Sequence, residues 1–170
     1  MNYRLSFQVA VLLLAANSVA ALAPARGQDW AYLGSDETGQ VLCVQQYSGR
    51  VVVVSFWASW CSSCLEELRA LNSLQREYPQ RLVVIAVNAA ESEQVIARFE
   101  RRLGPEHGLI FARGSEPELS AAGIDGVPQT LVLDAEGRVS SRHKGFSDDL
   151  AVTLNNEVAS LLSGPALFEE

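Results

Sequence analysis

A chain of 170 residues with a net charge of −7 is long enough for one domain with its own core, and too acidic to offer the basic face that nucleic acid or an anionic membrane surface requires. Hydrophobic residues at 48% and charged residues at 19% give the balance of a globular protein and exclude a disordered one. The basic residues are scattered arginines plus the single Lys144, so no cationic patch is expected.

The chain opens with a leader pattern. Arg4 supplies a short basic start, residues 5–14 are mostly apolar, and small residues follow, with Ser18-Val19-Ala20 and Ala25-Arg26-Gly27 both suited to cleavage. This predicts a signal peptide over residues 1–27 and a single domain over 28–170, with the mature protein soluble in the periplasm or another extracytoplasmic space. The alternative is an uncleaved membrane anchor, since residues 5–23 are nearly long enough to span a bilayer; Gln8 and Asn17 interrupt that stretch.

Residues 41–44 and 51–56 are rich in β-branched side chains and flank Ser48-Gly49, which predicts two strands joined by a turn. The second is apolar on both faces except at Ser55, the pattern of a central strand covered by helices on each side. After Cys64, Leu65, Leu68, Leu71 and Leu74 recur among charged residues until Tyr78-Pro79, so an amphipathic helix is expected. Residues 82–87 form another apolar run. Strand, helix, strand in that order implies a right-handed parallel crossover.

A second helix should open at Ser92, turn Val95, Phe99 and Leu103 inward, and stop at Gly104-Pro105. A short strand around Ile110 follows. Ser115 precedes Glu118 by three residues, a capping box for a brief helix that ends at Gly123. Residues 130–133 and 139–143 flank Asp134-Ala135-Glu136-Gly137, a hairpin signal. Ser147-Asp148-Asp149 caps a last helix that places Leu150, Leu154, Val158 and Leu161 on one face before Gly164-Pro165.

Chemistry enters at Trp60-Cys61-Ser62-Ser63-Cys64, between the central strand and its helix. A sulfur at a helix N-terminus meets unpaired backbone N–H groups and the positive end of the helix dipole, both of which favour thiolate over thiol. Cys61 is the residue so placed. Cys64, one turn further in, is shielded yet near enough to form a disulfide with Cys61. The asymmetry assigns roles: Cys61 attacks a partner disulfide, and Cys64 resolves the mixed disulfide. A purely structural bridge is the competing reading, but so small a loop stabilises little. Zinc needs four ligands, and the sequence has no second C-x-x-C and no neighbouring His pair. His107 and His143 read as loop and strand polar residues.

Four stretches make the chain resemble the TlpA/ResA group of bacterial thioredoxin-like proteins. They are the strand and active-site run of residues 53–64; the strand Val83-Val84-Ile85-Ala86-Val87-Asn88 followed by Glu91-Ser92; the loop Gly126-Val127-Pro128-Gln129-Thr130; and the hairpin of residues 133–139. The resemblance implies an α/β thioredoxin fold: a central mixed β-sheet flanked by helices on both faces, with the group's extra N-terminal hairpin and inserted helix. It implies that Pro128 is a cis-proline beside the sulfurs, that the backbone of Val127 pairs with an extended substrate segment, and that Glu67 takes the proton of Cys64 during resolution. The competing reading of Glu67 is a surface helix carboxylate. Trp57 and Trp60 are expected as core and rim packing around the sulfurs, with Trp60 in reach of substrate.

Three departures from the pattern matter. Thioredoxin itself has an aspartate where this chain has Ser55, leaving Glu67 to act alone; two serines fill the dipeptide between the cysteines, where many relatives have a proline; and Cys43 is an extra thiol, expected buried in a strand. The implied function is reduction of selected exported protein thiols and disulfides, in cytochrome c maturation or a related role, by a monomer fed from a membrane electron donor of the thiol-reducing type. No cofactor and no metal are expected. The alternatives are a disulfide oxidase or isomerase, and a redox-inactive module that holds a partner or a metal. A copper-chaperone reading fits poorly, since it asks for C-x-x-x-C with a distant His.

Overall fold

Val51–Trp57 (β1) is buried along its whole length, as a sequence apolar everywhere but at Ser55 demands. The computed structural model describes residues 33–104 and 106–163; the leader over 1–27, Pro105 of the second helix stop and the Gly164-Pro165 stop lie outside the described residues. After β1 come α1 (Ser62–Glu77), β2 (Leu82–Asn88), α2 (Glu93–Leu103), β3 (Ile110–Arg113), α3 (Glu116–Ala121), β4 (Gln129–Leu133), β5 (Val139–Lys144) and α4 (Asp148–Leu162). The five strands form one sheet in the order β3-β2-β1-β4-β5. β1, β2 and β3 run parallel, while β4 and β5 are antiparallel to their neighbours, so the sheet is mixed.

Alternation along the strands sorts the core into two layers. Val51, Val53 and Trp57 of β1, with Leu82, Val84 and Ala86 of β2, pack under Leu68 and Leu71 of α1, Ile96 and Phe99 of α2, and Leu154 and Val158 of α4. Val52, Val54 and Phe56 face the other way, with Ile85, Leu131 and Leu133, against Leu33, Leu42, Val44, Tyr47 and the α3 residue Leu119. Trp57 stacks 4.1 Å from the Phe99 ring and meets Phe111 edge-on at 5.7 Å, which closes the first layer at the C-terminal end of β1.

Several expectations need correction. No strand forms over residues 41–44: Val41 alone makes a bridge, to Ser35, and Val44–Tyr47 is a turn of 3-10 helix that buries Val44 and Tyr47. The N-terminal hairpin is reduced to a tight reversal in which the Leu33 N–H donates to the Leu42 carbonyl and the Leu42 N–H to the Gly34 carbonyl, and Ser35 also pairs with Arg113 at the outer edge of β3. In α2 the inward residue is Ile96, with Val95 half-buried, because the helical face drifts away from a strict four-residue step. In α4 Leu154, Val158 and Leu162 are buried, while Leu150 and Leu161 only flank the core. The Ser115 hydroxyl bonds the Glu118 carboxylate directly instead of a backbone N–H, so the capping box is not formed. Ser147 does cap α4, accepting from the Leu150 N–H at 3.3 Å. The β4–β5 turn closes as read, with Gly137 at φ 79, a value a glycine adopts freely.

β3 pairs with β2 only from Ile85 onward, which leaves the earlier backbone of β2 without a strand on that side among the described residues. Gln75 of α1 takes the strand's place: its amide donates to the Leu82 carbonyl at 2.7 Å and accepts from the Val84 N–H at 2.7 Å. Gly108 closes over it; a Cβ there would stand 2.9 Å from the Gln75 Cγ. Gln75→Leu strips both buried backbone groups of their partner, and urea unfolding should register a loss of about 3 kcal/mol. A loss below about 0.5 kcal/mol would show that the clamp contributes nothing.

Candidate active site

Between the end of β1 and the start of α1 the chain makes a tight turn through Ala58-Ser59-Trp60-Cys61, closed by the Cys61 N–H donating to the Ala58 carbonyl at 3.2 Å. Cys61 is the N-cap residue of α1, in extended backbone conformation, with no side-chain cap bond. Its sulfur thus stands where the first N–H groups of a 16-residue helix lack intrahelical partners. Cys61 and Cys64 are joined by a disulfide with their Cα atoms 5.4 Å apart. Cys61 is 8% exposed and Cys64 0%, the asymmetry expected of an outer and an inner sulfur. Ser63 Oγ lies 3.7 Å from Cys61 Sγ.

Trp60, beside them, is 74% exposed, whereas Trp57 is fully buried. Phe56 pairs with Gln129 across β1 and β4, so Pro128 sits at the same end of the sheet from which β1 leads to Cys61. The Val127–Pro128 peptide is cis. Pro128 is buried, and Val127 packs against the apolar layer that holds both sulfurs.

Glu67 follows Cys64 by one helical turn and is 0% exposed, while its neighbour Glu66 is out in solvent. The register Ser55 to Thr130 to His143 lines three polar side chains across β1, β4 and β5 on the face that α1 covers. Ser55 Oγ donates to Glu67 Oε1 at 2.9 Å, and Thr130 Oγ1 donates to the same oxygen. Glu67 Oε2 has no hydrogen-bond partner among the described residues. Burial therefore raises the carboxyl's proton affinity above the usual glutamate range, opposed in part by the two hydroxyls and by nearby His143. Beyond Thr130, His143 Nε2 lies 3.0 Å from Glu157 Oε2 of α4, which also accepts from Ser141 Oγ at 2.7 Å. Ser55, read as a lost proton acceptor, is instead the hydroxyl that holds Glu67.

One cysteine stands otherwise than its sequence suggests, and one carboxylate joins the site that its sequence does not mark. Cys43 is free and half-buried at the start of the 3-10 turn, not enclosed in a strand, because the strand does not form. Glu91 went unnoticed as a site residue. Its carboxylate accepts from the Ser59 N–H at 2.7 Å, from Ser59 Oγ at 2.6 Å and from Asn88 Nδ2 at 2.8 Å. Burial alone would raise its proton affinity, but the bonds from Asn88 and Ser59 hold it below the ordinary carboxylate range. The signal available was a carboxylate at the end of β2, the end of the sheet that also delivers Cys61. Among the described residues no three of His, Cys, Asp and Glu gather as a metal site.

The Redoxin family model matches residues 24–158. The thioredoxin-like protein YneN of Bacillus subtilis is 31% identical over 112 residues, 64% of this chain and 64% of the relative. The thiol-disulfide oxidoreductase ResA of Halalkalibacterium halodurans is 30% identical over 125 residues, 73% of this chain and 70% of the relative. The chain thus spans about two thirds of the length of these curated relatives. Among solved structures, a thiol:disulfide interchange protein of the thioredoxin family from Chlorobium tepidum aligns with a TM-score of 0.67 at 20% identity, covering 83% of this chain and all of that one. StoA from Bacillus subtilis aligns at 0.57 and 21% identity, covering 74% and 93%. These likenesses establish the thioredoxin fold.

A raised native proton affinity at Glu67 has a fixed sign. Between the ordinary glutamate value and the raised one the folded state binds more protons than the unfolded state, so the contribution to stability is full below that window and is lost as pH rises through it. Urea unfolding of wild type and Glu67→Gln from about pH 4 to about pH 8 should therefore show the wild type losing ground steadily, by about 1.4 kcal/mol for each unit by which the group is raised. Parallel profiles would contradict the buried carboxyl.

Proposed function

The chain belongs to the Redoxin family and is TlpA/ResA-like, and we propose that it is an exported thiol:disulfide oxidoreductase that reduces selected protein disulfides through Cys61 and Cys64. The observation that carries this reading is the disulfide itself: an outer sulfur at a helix N-terminus bonded to a fully buried inner one, with the buried Glu67 carboxyl one turn beyond.

In the reduced protein the Cys61 thiolate attacks one sulfur of a substrate disulfide. A bond forms between Cys61 and that sulfur, and the substrate's other sulfur leaves as a thiolate. Cys64 then gives its proton to Glu67 and attacks Cys61 Sγ; the Cys61–Cys64 bond forms, and the second substrate sulfur departs. Both substrate sulfurs take protons, two electrons have passed to the substrate, and the protein is left oxidised. Glu67 suits the proton transfer because its proton affinity is already raised and its Oε2 carries no competing bond. The exposed Trp60 indole and the backbone of Val127 beside Pro128 receive the substrate, the latter by pairing with an extended segment.

The substrates are exported thiol proteins, such as the haem-binding cysteines of apocytochrome c, and a membrane donor of the thiol-reducing type restores Cys61 and Cys64. The leader over residues 1–27 supports export, the protein acts as a monomer, and residues 28–170 are its one domain. Wild type should reduce insulin disulfides, Cys61→Ala should abolish the reaction, and Cys64→Ala should accumulate a mixed disulfide on Cys61 that mass spectrometry identifies. Full activity in Cys61→Ala would refute the mechanism. A reduction potential near about −270 mV fits a reductase, whereas about −120 mV would reverse the direction of electron flow.

A further inference from the structure

Only the turn through Ala58-Ser59-Trp60 connects the rigid end of β1 to the attacking sulfur, and Ser59 within it donates both its backbone N–H and its hydroxyl to Glu91. We propose that Glu91 is a positioning residue that fixes this turn and so holds Cys61 Sγ against the N-terminus of α1. The inference rests on the reading of Cys61 as the attacking sulfur and extends it to a residue that touches neither sulfur nor substrate.

The connection from the sheet is continuous. Asn88 is fully buried at the end of β2, in register with Trp57, and its carbonyl accepts from the Gly114 N–H at 2.9 Å. The Ala89 N–H donates to the Trp57 carbonyl at 2.8 Å, which binds the two strand ends together. Asn88 Nδ2 then donates to Glu91, while the Glu91 N–H donates back to Asn88 Oδ1, each at 2.8 Å. Glu91 in turn accepts from both the backbone and the hydroxyl of Ser59, two residues before Cys61. These are charge-assisted bonds to an ionised carboxylate, the stronger class of hydrogen bond.

A second observation points the same way. Ala90 has φ 60, the left-handed region, and it is the only non-glycine residue at positive φ among those described. An alanine adopts that conformation unfavourably and keeps it where surrounding contacts over-determine it. Here the conformation turns Glu91 back over Asn88 and toward Ser59. A carboxylate needed only for solubility would not require it.

Two effects of Glu91 on Cys61 have opposite signs, which makes the proposal testable. If Glu91 acts by position, its removal loosens the turn, the sulfur loses alignment with the helix N–H groups, and the thiol titrates higher. If it acts by its charge, removal relieves repulsion and the thiol titrates lower. Three donors on the carboxylate disperse that charge, so the positional effect dominates.

The experiment is the pH dependence of iodoacetamide alkylation of Cys61 in the reduced full chain, for wild type, Ser59→Ala, Glu91→Ala and the double variant. Glu91→Ala should move the titration midpoint up by about half a unit to one unit and slow alkylation at neutral pH about three- to tenfold. Ser59→Ala should give a smaller shift in the same direction, and it carries the test should Glu91→Ala not fold. The double variant should shift no further than Glu91→Ala alone, since both remove one interaction. A midpoint unchanged in both single variants, even with a lowered melting temperature, would leave Glu91 a structural residue and overturn the proposal. A downward shift would overturn it in favour of charge. An ordinary thiol titration already in wild type would remove the oxidoreductase reading and this one with it.

Discussion

Strand β1 is hydrogen-bonded to β2 along its whole length and to β4 from Val52 to Phe56, and no side chain on it reaches solvent. A strand held on both edges and both faces has no freedom to shift, so whatever leaves its C-terminal end leaves from a fixed point. Cys61 follows Trp57 by four residues, and helix α1 begins one residue later, packed onto the same layer. The sulfur's surroundings are thereby set by the sheet together with the short turn that leaves it. Pro128 and Glu67 reach the same region by the same route: β4 enters beside β1 at Gln129, and α1 lies across Ser55 and Thr130.

The polar row beneath α1 runs against the economy of the core. A carboxyl with one oxygen unpaired, in a layer otherwise built of Val, Leu, Ile and aromatic side chains, lowers stability wherever it is ionised. The two hydroxyls reduce that cost without removing it, since both serve the same oxygen. On the proposed mechanism the cost has a use: a group reluctant to ionise is a group ready to receive a proton from Cys64. Locally unfavourable choices tend to gather where function is, and Ala90, just past the end of β2, belongs with Glu67 in that respect.

Much of this was legible in the chain. The two apolar strands, the crossover helix, the β4–β5 hairpin and the Cys61–Cys64 pair all announce themselves through periodicity or spacing, because each is a local pattern. The burial of Glu67 was only half legible. The leucines at intervals of three suggested one stripe, yet the covered face follows the true helical period through Cys64, Glu67, Leu68, Leu71, Leu74 and Gln75. The strand over residues 41–44 misled because β-branched composition says that a segment suits a sheet and does not supply a partner edge; with only Ser35 opposite, Val44 and Tyr47 are buried by a 3-10 turn instead. Cys43 was misplaced with it. Glu91 was invisible, since Ser59 lies 32 residues away and no local pattern couples the two.

The Gln75 clamp has a mechanical meaning at the far end of its helix. By bonding β2 it fastens the C-terminal half of α1 to the sheet like a bolt through a beam, with Gly108 closing over the fastening. A beam bolted at its root neither slides nor rolls as a whole. The redox pair sits at the other end of the same helix, in its first turn and the short connector ahead of it, so the fastening and the chemistry occupy opposite ends of one rigid element.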